Sequence, residues 1–398
     1  MRSTAWIMSD LKNKAEYILE AQIAPFWLSL KDKKYGGFYG RKDASLRLHE
    51  FADKGSIMTS RILYFFSEAY SLTGRTDYLE AARNAFDFLT KYCIDRESGG
   101  VYWSVTYDGK PADTIKHTYA QAFAIYGLAS YYLVTNCTDA ILEAFRLFNI
   151  IEHKCSDSGG YLESFARDWK PAENDKLSEN NVIAARTMNT LLHIFEAYTR
   201  LYQCVPDERV RAAMKKILEV YRDKVYNNDK MRQEVFFDES FNSLIDLQSF
   251  GHDIESSWLI DAGCSLIDDD RLKEEIFAIN SCLARKVYEE AFTGECVLNE
   301  CENGRTDTDR IWWVQAEAVI GFIGQWQKTN EPEYLSAALK VFSYIQENLV
   351  DKRQGSEWFW GIHENGVPME KDMAGEWKCP YHNGRMCFEI IRRARDDT

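Results

Sequence analysis

A short glycine-plus-aromatic signal recurs along the chain and limits what it can fold into. It reads Gly36-Gly37-Phe38-Tyr39, Gly99-Gly100-Val101-Tyr102-Trp103 and Gly159-Gly160-Tyr161-Leu162, then a degenerate Glu234-Val235-Phe236-Phe237. Two more copies follow at Gly294-Glu295-Cys296-Val297-Leu298 and Gly355-Ser356-Glu357-Trp358-Phe359. Successive copies start 63, 60, 75, 60 and 61 residues apart. Such near-constant spacing marks one supersecondary unit repeated six times. Between the copies the apolar spacing is helical. It predicts twelve helices, near 11–31, 56–73, 76–94, 117–135, 138–154, 185–203, 206–226, 251–267, 269–290, 309–329, 331–349 and 380–396. Asp139 and Asp207 stand near helix starts and Pro380 at a first helical turn. Pro25 is expected to kink or split the first helix.

The links alternate in length. From each even helix to the next odd one they are short, as at Thr73-Gly74-Arg75, Asn136-Cys137, Val205-Pro206 and Thr329-Asn330-Glu331. From each odd helix to the next even one they are long and carry the glycine-aromatic signal. All long loops therefore share one face, where function usually sits. The even helices are apolar throughout, as in Ala122-Phe123-Ala124-Ile125-Tyr126 and Val319-Ile320-Gly321-Phe322-Ile323. This suits an inner, fully buried ring. The expected fold is all-α, a closed (α/α)6 barrel with short strands in the long loops; the alternative is an open helical solenoid. Length alone, at roughly 150 residues per domain, predicts two or three domains. The repeat overrides that prior and predicts one catalytic domain over 11–398 behind an extension at 1–10.

Charge and motif content exclude several functions. With 62 acidic and 48 basic residues the net charge is −14, which disfavours nucleic acid or an anionic membrane as partner. No apolar run reaches the length of a membrane span. Ala5-Trp6-Ile7-Met8 is too short for a signal-peptide core, so a cytoplasmic location is expected. The 10 cysteines show no CxxC pair or zinc spacing and read as small buried hydrophobes in a reducing compartment. There is no GxxxxGK[ST], GxGxxG or GxSxG sequence.

The even helices carry polar or aromatic residues near their starts that a core helix has little reason to hold. They are Arg61; His117 and Tyr119; Asn189 and His193; His252 and Glu255; Trp312, Trp313 and Glu317; His382 and Arg385, with Trp377 just ahead. On parallel inner helices these groups converge on one mouth of the barrel. An unpaired charge buried there would cost several kcal/mol, so the set reads as a polar ligand pocket. Helix N-termini pointing at that mouth favour developing negative charge. A lone helical histidine is more often structural, and His117 stays open between the two readings. Convergence favours function for His193, His252 and His382, while His49, His153 and His363 read as surface or loop residues. His252 and Glu255 lie on one helix face, so the carboxylate is expected to orient the imidazole or raise its pKa. His193 and Glu196 repeat the spacing. HxxE could bind a metal, but di-iron bundles use the reverse order, twice over; none is expected. Trp103, Trp258, Trp313 and Trp377 beside Arg, Asn, Glu and His suit a sugar, although barrel packing accounts for some of them.

At these positions the chain resembles the cellobiose 2-epimerases of the N-acylglucosamine 2-epimerase superfamily. The stretches that carry the resemblance are Ser60-Arg61-Ile62-Leu63, Lys116-His117-Thr118-Tyr119, Thr187-Met188-Asn189 through His193, and Gly251-His252-Asp253-Ile254-Glu255. Trp312-Trp313-Val314-Gln315-Ala316-Glu317 and Trp377-Lys378-Cys379-Pro380-Tyr381-His382-Asn383-Gly384-Arg385 complete it. The resemblance spans about residues 11 to 395 and implies an (α/α)6 barrel. It implies epimerisation at C2 of the reducing-end glucose of a β-1,4 disaccharide, without cofactor, with His252 and His382 as the acid/base pair. Arg61, His193, Asn189, Tyr119, Glu255 and Glu317 would contact sugar hydroxyls and ring oxygen. Trp258, Trp313 and Trp377 would stack on the sugar, with His117 and Arg385 also in the substrate site. A monomeric enzyme acting on a small disaccharide is expected. The rivals are an aldose-ketose isomerase, an N-acylglucosamine 2-epimerase, an inverting glycosidase using Glu255 and Glu317, and a carbohydrate-binding module.

Overall fold

A helix with no polar face must be surrounded by other helices. In the computed structural model every residue from Thr118 to Tyr131 is buried. The outer helices are one-sided instead: Val210, Ala213, Met214, Ile217 and Leu218 form the single buried stripe of theirs. The structure describes residues 3–177 and 180–396.

Among these residues outer and inner helices alternate. The first outer helix is α1 (Thr4–Ile18), a π turn (Leu19–Ile23) and α2 (Ala24–Ser29); its inner partner is α3 (Ser56–Thr73). The next pairs are α4 (Thr76–Phe88) with α5 (Thr118–Thr135), α6 (Thr138–Ile150) with α7 (Met188–Cys204), and α8 (Glu208–Val220) with α9 (Phe250–Cys264). Then come α10 (Asp270–Glu290) with α11 (Trp312–Thr329), and α12 (Pro332–Tyr344) with α13 (His382–Asp396). The inner helices touch in the order α3, α5, α7, α9, α11, α13 and back to α3. At the closure Phe65 and Phe388 lie 5.5 Å apart. The fold is a closed (α/α)6 barrel, not a solenoid. Gly127 permits one close approach in the ring: a Cβ there would fall 2.6 Å from the Ser60 carbonyl oxygen.

Two sequence expectations change in detail and a third is refined. Residues 4–10 are not an extension but the first turns of α1, with Ser3 accepting from the Trp6 N–H and Met8 buried. Pro25 falls where the first helix is divided, as expected. It sits in the first turn of α2, just after a π turn whose wider ladder absorbs the irregularity. Pro380 stands ahead of α13 rather than inside it. Four other outer helices, α4, α6, α8 and α12, also run into π turns at the loop face.

The short links end helices in left-handed residues, Gly74, Asn136 and Asn330. In the long loops a two-residue strand precedes each of several inner helices and pairs with the loop of the next repeat. Lys54–Gly55 pairs with Ser104–Val105, Lys116–His117 with Ser164–Phe165, Arg186–Thr187 with Phe236–Phe237, and Arg310–Ile311 with Gly361–Ile362. The strand before α9, Leu247–Ser249, instead joins the hairpin of Glu300–Glu302 and Arg305–Asp307. Ion pairs pin these loops: Lys54 to Asp32 at 2.7 Å, Lys116 to Asp95 at 3.0 Å, Arg186 to Asp157 at 2.5 Å and Lys378 to Glu357 at 2.5 Å. No described helix is long and apolar enough to cross a membrane.

Candidate active site

The inner helix starts enclose a cavity of about 420 Å³ at the loop face. Its floor is organised by one cation. Arg385, fully buried on α13, sends Nη1 to Glu196 Oε1 at 2.7 Å and Nη2 to Glu317 Oε1 at 2.7 Å, and also bonds Glu255. Three carboxylates from α7, α9 and α11 thus share one guanidinium. Trp258 lies over that guanidinium and donates Nε1–H to Glu317 Oε2 at 3.0 Å. Tyr381 donates its hydroxyl to Glu196.

Three imidazoles line the cavity above this floor. His382 places Nδ1 2.8 Å from Glu317 Oε1. His193 places Nδ1 2.9 Å from Glu196 Oε2. His252 places Nδ1 2.7 Å from the Ser249 hydroxyl. Trp313 packs against two of the rings, with centroids 4.8 Å from His252 and 5.4 Å from His382. Gly251 makes room for that indole, since a Cβ there would fall 2.4 Å from its edge.

Burial holds the His252 imidazole at about 4, with the Glu255 charge opposing. Burial also holds His382 well below the usual range, and the Arg385 and Arg61 charges push it further down. Both rings are therefore neutral near pH 7. Burial raises Glu317, with Arg385 opposing and Glu255 adding to the rise. Glu196 goes the other way: burial would raise it, but Arg385 and His193 prevail and set it at about 2.

Arg61 forms part of the opposite wall. Its Nη2 donates to the Tyr119 hydroxyl at 2.7 Å, and its guanidinium lies 4.1 Å from the Phe123 ring centroid. No carboxylate pairs with it among the described residues, and its Nε is buried without a partner. Asn189 Oδ1 is likewise unpartnered, as is Glu255 Oε2. Glu255, Glu317 and His382 form the one described group whose atoms lie close enough to hold a metal ion. Arg385 already bonds both carboxylates, so a cation fills the position a metal would take.

The sequence pattern of the N-acylglucosamine 2-epimerase family matches residues 36–384. The chain belongs to that family. It is 49% identical over 399 residues to the cellobiose 2-epimerase of Eubacterium cellulosolvens, covering 96% of this chain and 98% of the relative. A solved sugar epimerase from a ruminal bacterium superposes with a TM-score of 0.95 at 43% identity, covering 96% of this chain and 99% of that one. The cellobiose 2-epimerase of Bacillus thermoamylovorans does so with 0.92 at 39% identity, covering 97% and 100%.

In this member of the epimerase family the expected residues separate into layers. Arg61, Tyr119, Asn189, His193, His252, Glu255, Trp313, Trp377 and His382 line the cavity. Trp258, Glu317 and Arg385, expected among the lining residues, lie beneath it and are hydrogen-bonded into the floor. His117 is outside it. Its Nδ1 accepts from the Tyr119 N–H, capping α5, and its Nε2 lies 3.0 Å from Asn174 Oδ1. Trp103 backs Trp377 with centroids 5.7 Å apart. Of the two expected effects of Glu255 on His252 only one is present: Arg385 draws the carboxylate to the floor, so it does not hydrogen-bond the ring, but its charge still raises the His252 pKa; the same spacing does form a hydrogen-bonded pair at His193 and Glu196. Sequence reasoning missed Ser249 and an outer wall that includes Asn299, Glu300, Asp307, Trp360 and Lys371. Trp360 lay inside a recognised repeat signal's neighbourhood, but the hairpin residues carry no signal beyond turn chemistry.

Proposed function

We propose that this cavity epimerises cellobiose and related β-1,4 disaccharides at C2 of the reducing-end glucose, giving the mannose epimer. The observation that carries the reading is the placement of His252 and His382 against one indole, Trp313, on the wall of one sugar-sized cavity. Likeness over nearly the whole length to cellobiose 2-epimerases supports it.

The C2 hydrogen becomes acidic only in the open-chain aldehyde, and a cavity histidine assists ring opening. A neutral imidazole then takes the C2 proton on Nε2, and the electron pair moves into an enediolate. Arg61, a buried cation without a carboxylate partner, stabilises its oxygen. The second imidazole, carrying on Nε2 a proton taken from solvent, gives it to the opposite face of C2, and the first imidazolium returns its proton to solvent. Glu317 stabilises the His382 imidazolium while it exists. General acid/base catalysis of this kind contributes on the order of 10²–10⁴-fold. The steps require no hydride acceptor. Monomeric, cytoplasmic enzyme is part of the proposal, and the free thiols of all described cysteines fit a reducing compartment.

The glycosidase reading loses its acids. Glu255 and Glu317 approach within 4.8 Å of each other and share Arg385. An inverting pair needs carboxyls about 6.5–9.5 Å apart. The deciding experiment is incubation of cellobiose in heavy water with products read by NMR. A mannose-type reducing end carrying deuterium at C2 is expected. A fructose-type end would make the enzyme an isomerase, unlabelled mannose would mean hydride transfer, and free glucose would mean hydrolysis.

A further inference from the structure

Ser249 is the N-cap of α9, and serine is among the best residues for that position because its hydroxyl accepts a backbone N–H. At α7 the equivalent Thr187 does this, accepting from the Thr190 N–H at 3.0 Å. Ser249 does not cap its helix. Its hydroxyl turns instead to the cavity and lies 2.7 Å from His252 Nδ1. The backbone cannot drift, because Ser249 pairs with Glu300 in the strand ladder and begins α9. A cap worth about 1 kcal/mol is forgone in favour of an imidazole.

The other two cavity histidines rest Nδ1 on carboxylates, His193 on Glu196 and His382 on Glu317. A carboxylate only accepts and strengthens the ring as a base. A hydroxyl accepts equally well but brings no charge. We propose that Ser249 is the positioning residue of His252: its hydroxyl accepts Nδ1–H, so that Nε2 faces the sugar with no charge placed behind the ring. This rests on the epimerase reading above. The groups facing His252 are Glu255 on its own helix, His193 from α7, and Trp313 and His382 from α11 and α13.

The test combines imidazole nitrogen NMR of the ligand-free enzyme with kinetics of Ser249→Ala, Ser249→Thr and Ser249→Asp. In the wild-type enzyme His252 should show the Nδ1–H form. Ser249→Ala should lose that preference and lower kcat on the order of 10²-fold with KM nearly unchanged. Ser249→Thr should restore both. Ser249→Asp should move the acidic limb of the kcat profile to higher pH, because a carboxylate favours the imidazolium. Wild-type kcat in Ser249→Ala, retention of Nδ1–H there, or failure of the Thr variant to rescue would each overturn the proposal. If the epimerase reading is what fails, the wild-type enzyme leaves cellobiose unlabelled in heavy water, whereas the tautomer measurement needs no turnover.

Discussion

The loop rim and the cavity floor bury the same kinds of charge in different proportions. At the rim Lys54 has Asp32 and Lys378 has Glu357 to itself, and Asp95 serves both Lys116 and Arg167, so that none of these acids lacks a cation. Glu357 also accepts from Trp27, Asn383 and the Trp358 N–H. At the floor Arg385 alone faces Glu196, Glu255 and Glu317. One-to-one pairs are electrically closed and can only hold structure. A one-to-three cluster holds more carboxylates than its cation can pair, and burial with Glu255 alongside raises Glu317 in consequence.

The difference can be broken from both sides. Arg385→Met should have the largest effect, leaving three carboxylates without a cation: turnover lost and stability reduced by at least about 3–5 kcal/mol, read by urea unfolding. His382→Asn and His252→Asn should each lower kcat by about 10²–10⁴-fold with an unchanged melting transition; near-normal activity in either variant would refute that residue's role. Lys54→Met, which strands buried Asp32, should cost about 3–5 kcal/mol while activity per folded molecule survives. Acid should act through the neutral buried rings. His117 and His252 stay uncharged in the native state down to about 4, whereas in the unfolded chain they take up protons near pH 6.5. The unfolded state binds more protons in that window, so stability falls with pH from about 6.5 to 4, by roughly 3 kcal/mol for each ring. Denaturant midpoints across that range would show it. Glu317→Gln is the sharpest probe: it lowers kcat on the order of 10²-fold by removing the imidazolium's partner. Yet it should shift the unfolding midpoint little, because the floor has carboxylates to spare.

The barrel was legible because its periodicity is physical. Helices buried on every side must be apolar on every side, and the alternating links place all the long loops together. The cavity histidines were legible because three of them stand near inner helix starts. What escaped was competition between neighbours. Spacing alone could not tell that Glu255 turns to Arg385 while Glu196 keeps His193, since the deciding guanidinium comes from another helix. His117 is the N-cap residue of α5, and its ring turns to the Tyr119 N–H and to Asn174 instead of to the cavity. The rim pairs left a signal that went unread. A basic residue just ahead of the inner helices, at Lys54, Lys116, Arg186 and Lys378, recurs with acids at Asp32, Asp95 and Asp157 that open the turns before the glycine signals.

The helix that supplies His382 and Arg385 follows the other five inner helices in the chain, and it closes against α3, the first of them. Until it docks, Glu196, Glu255 and Glu317 have no counter-ion and repel one another. Closure of the ring and assembly of the charged floor are therefore one event.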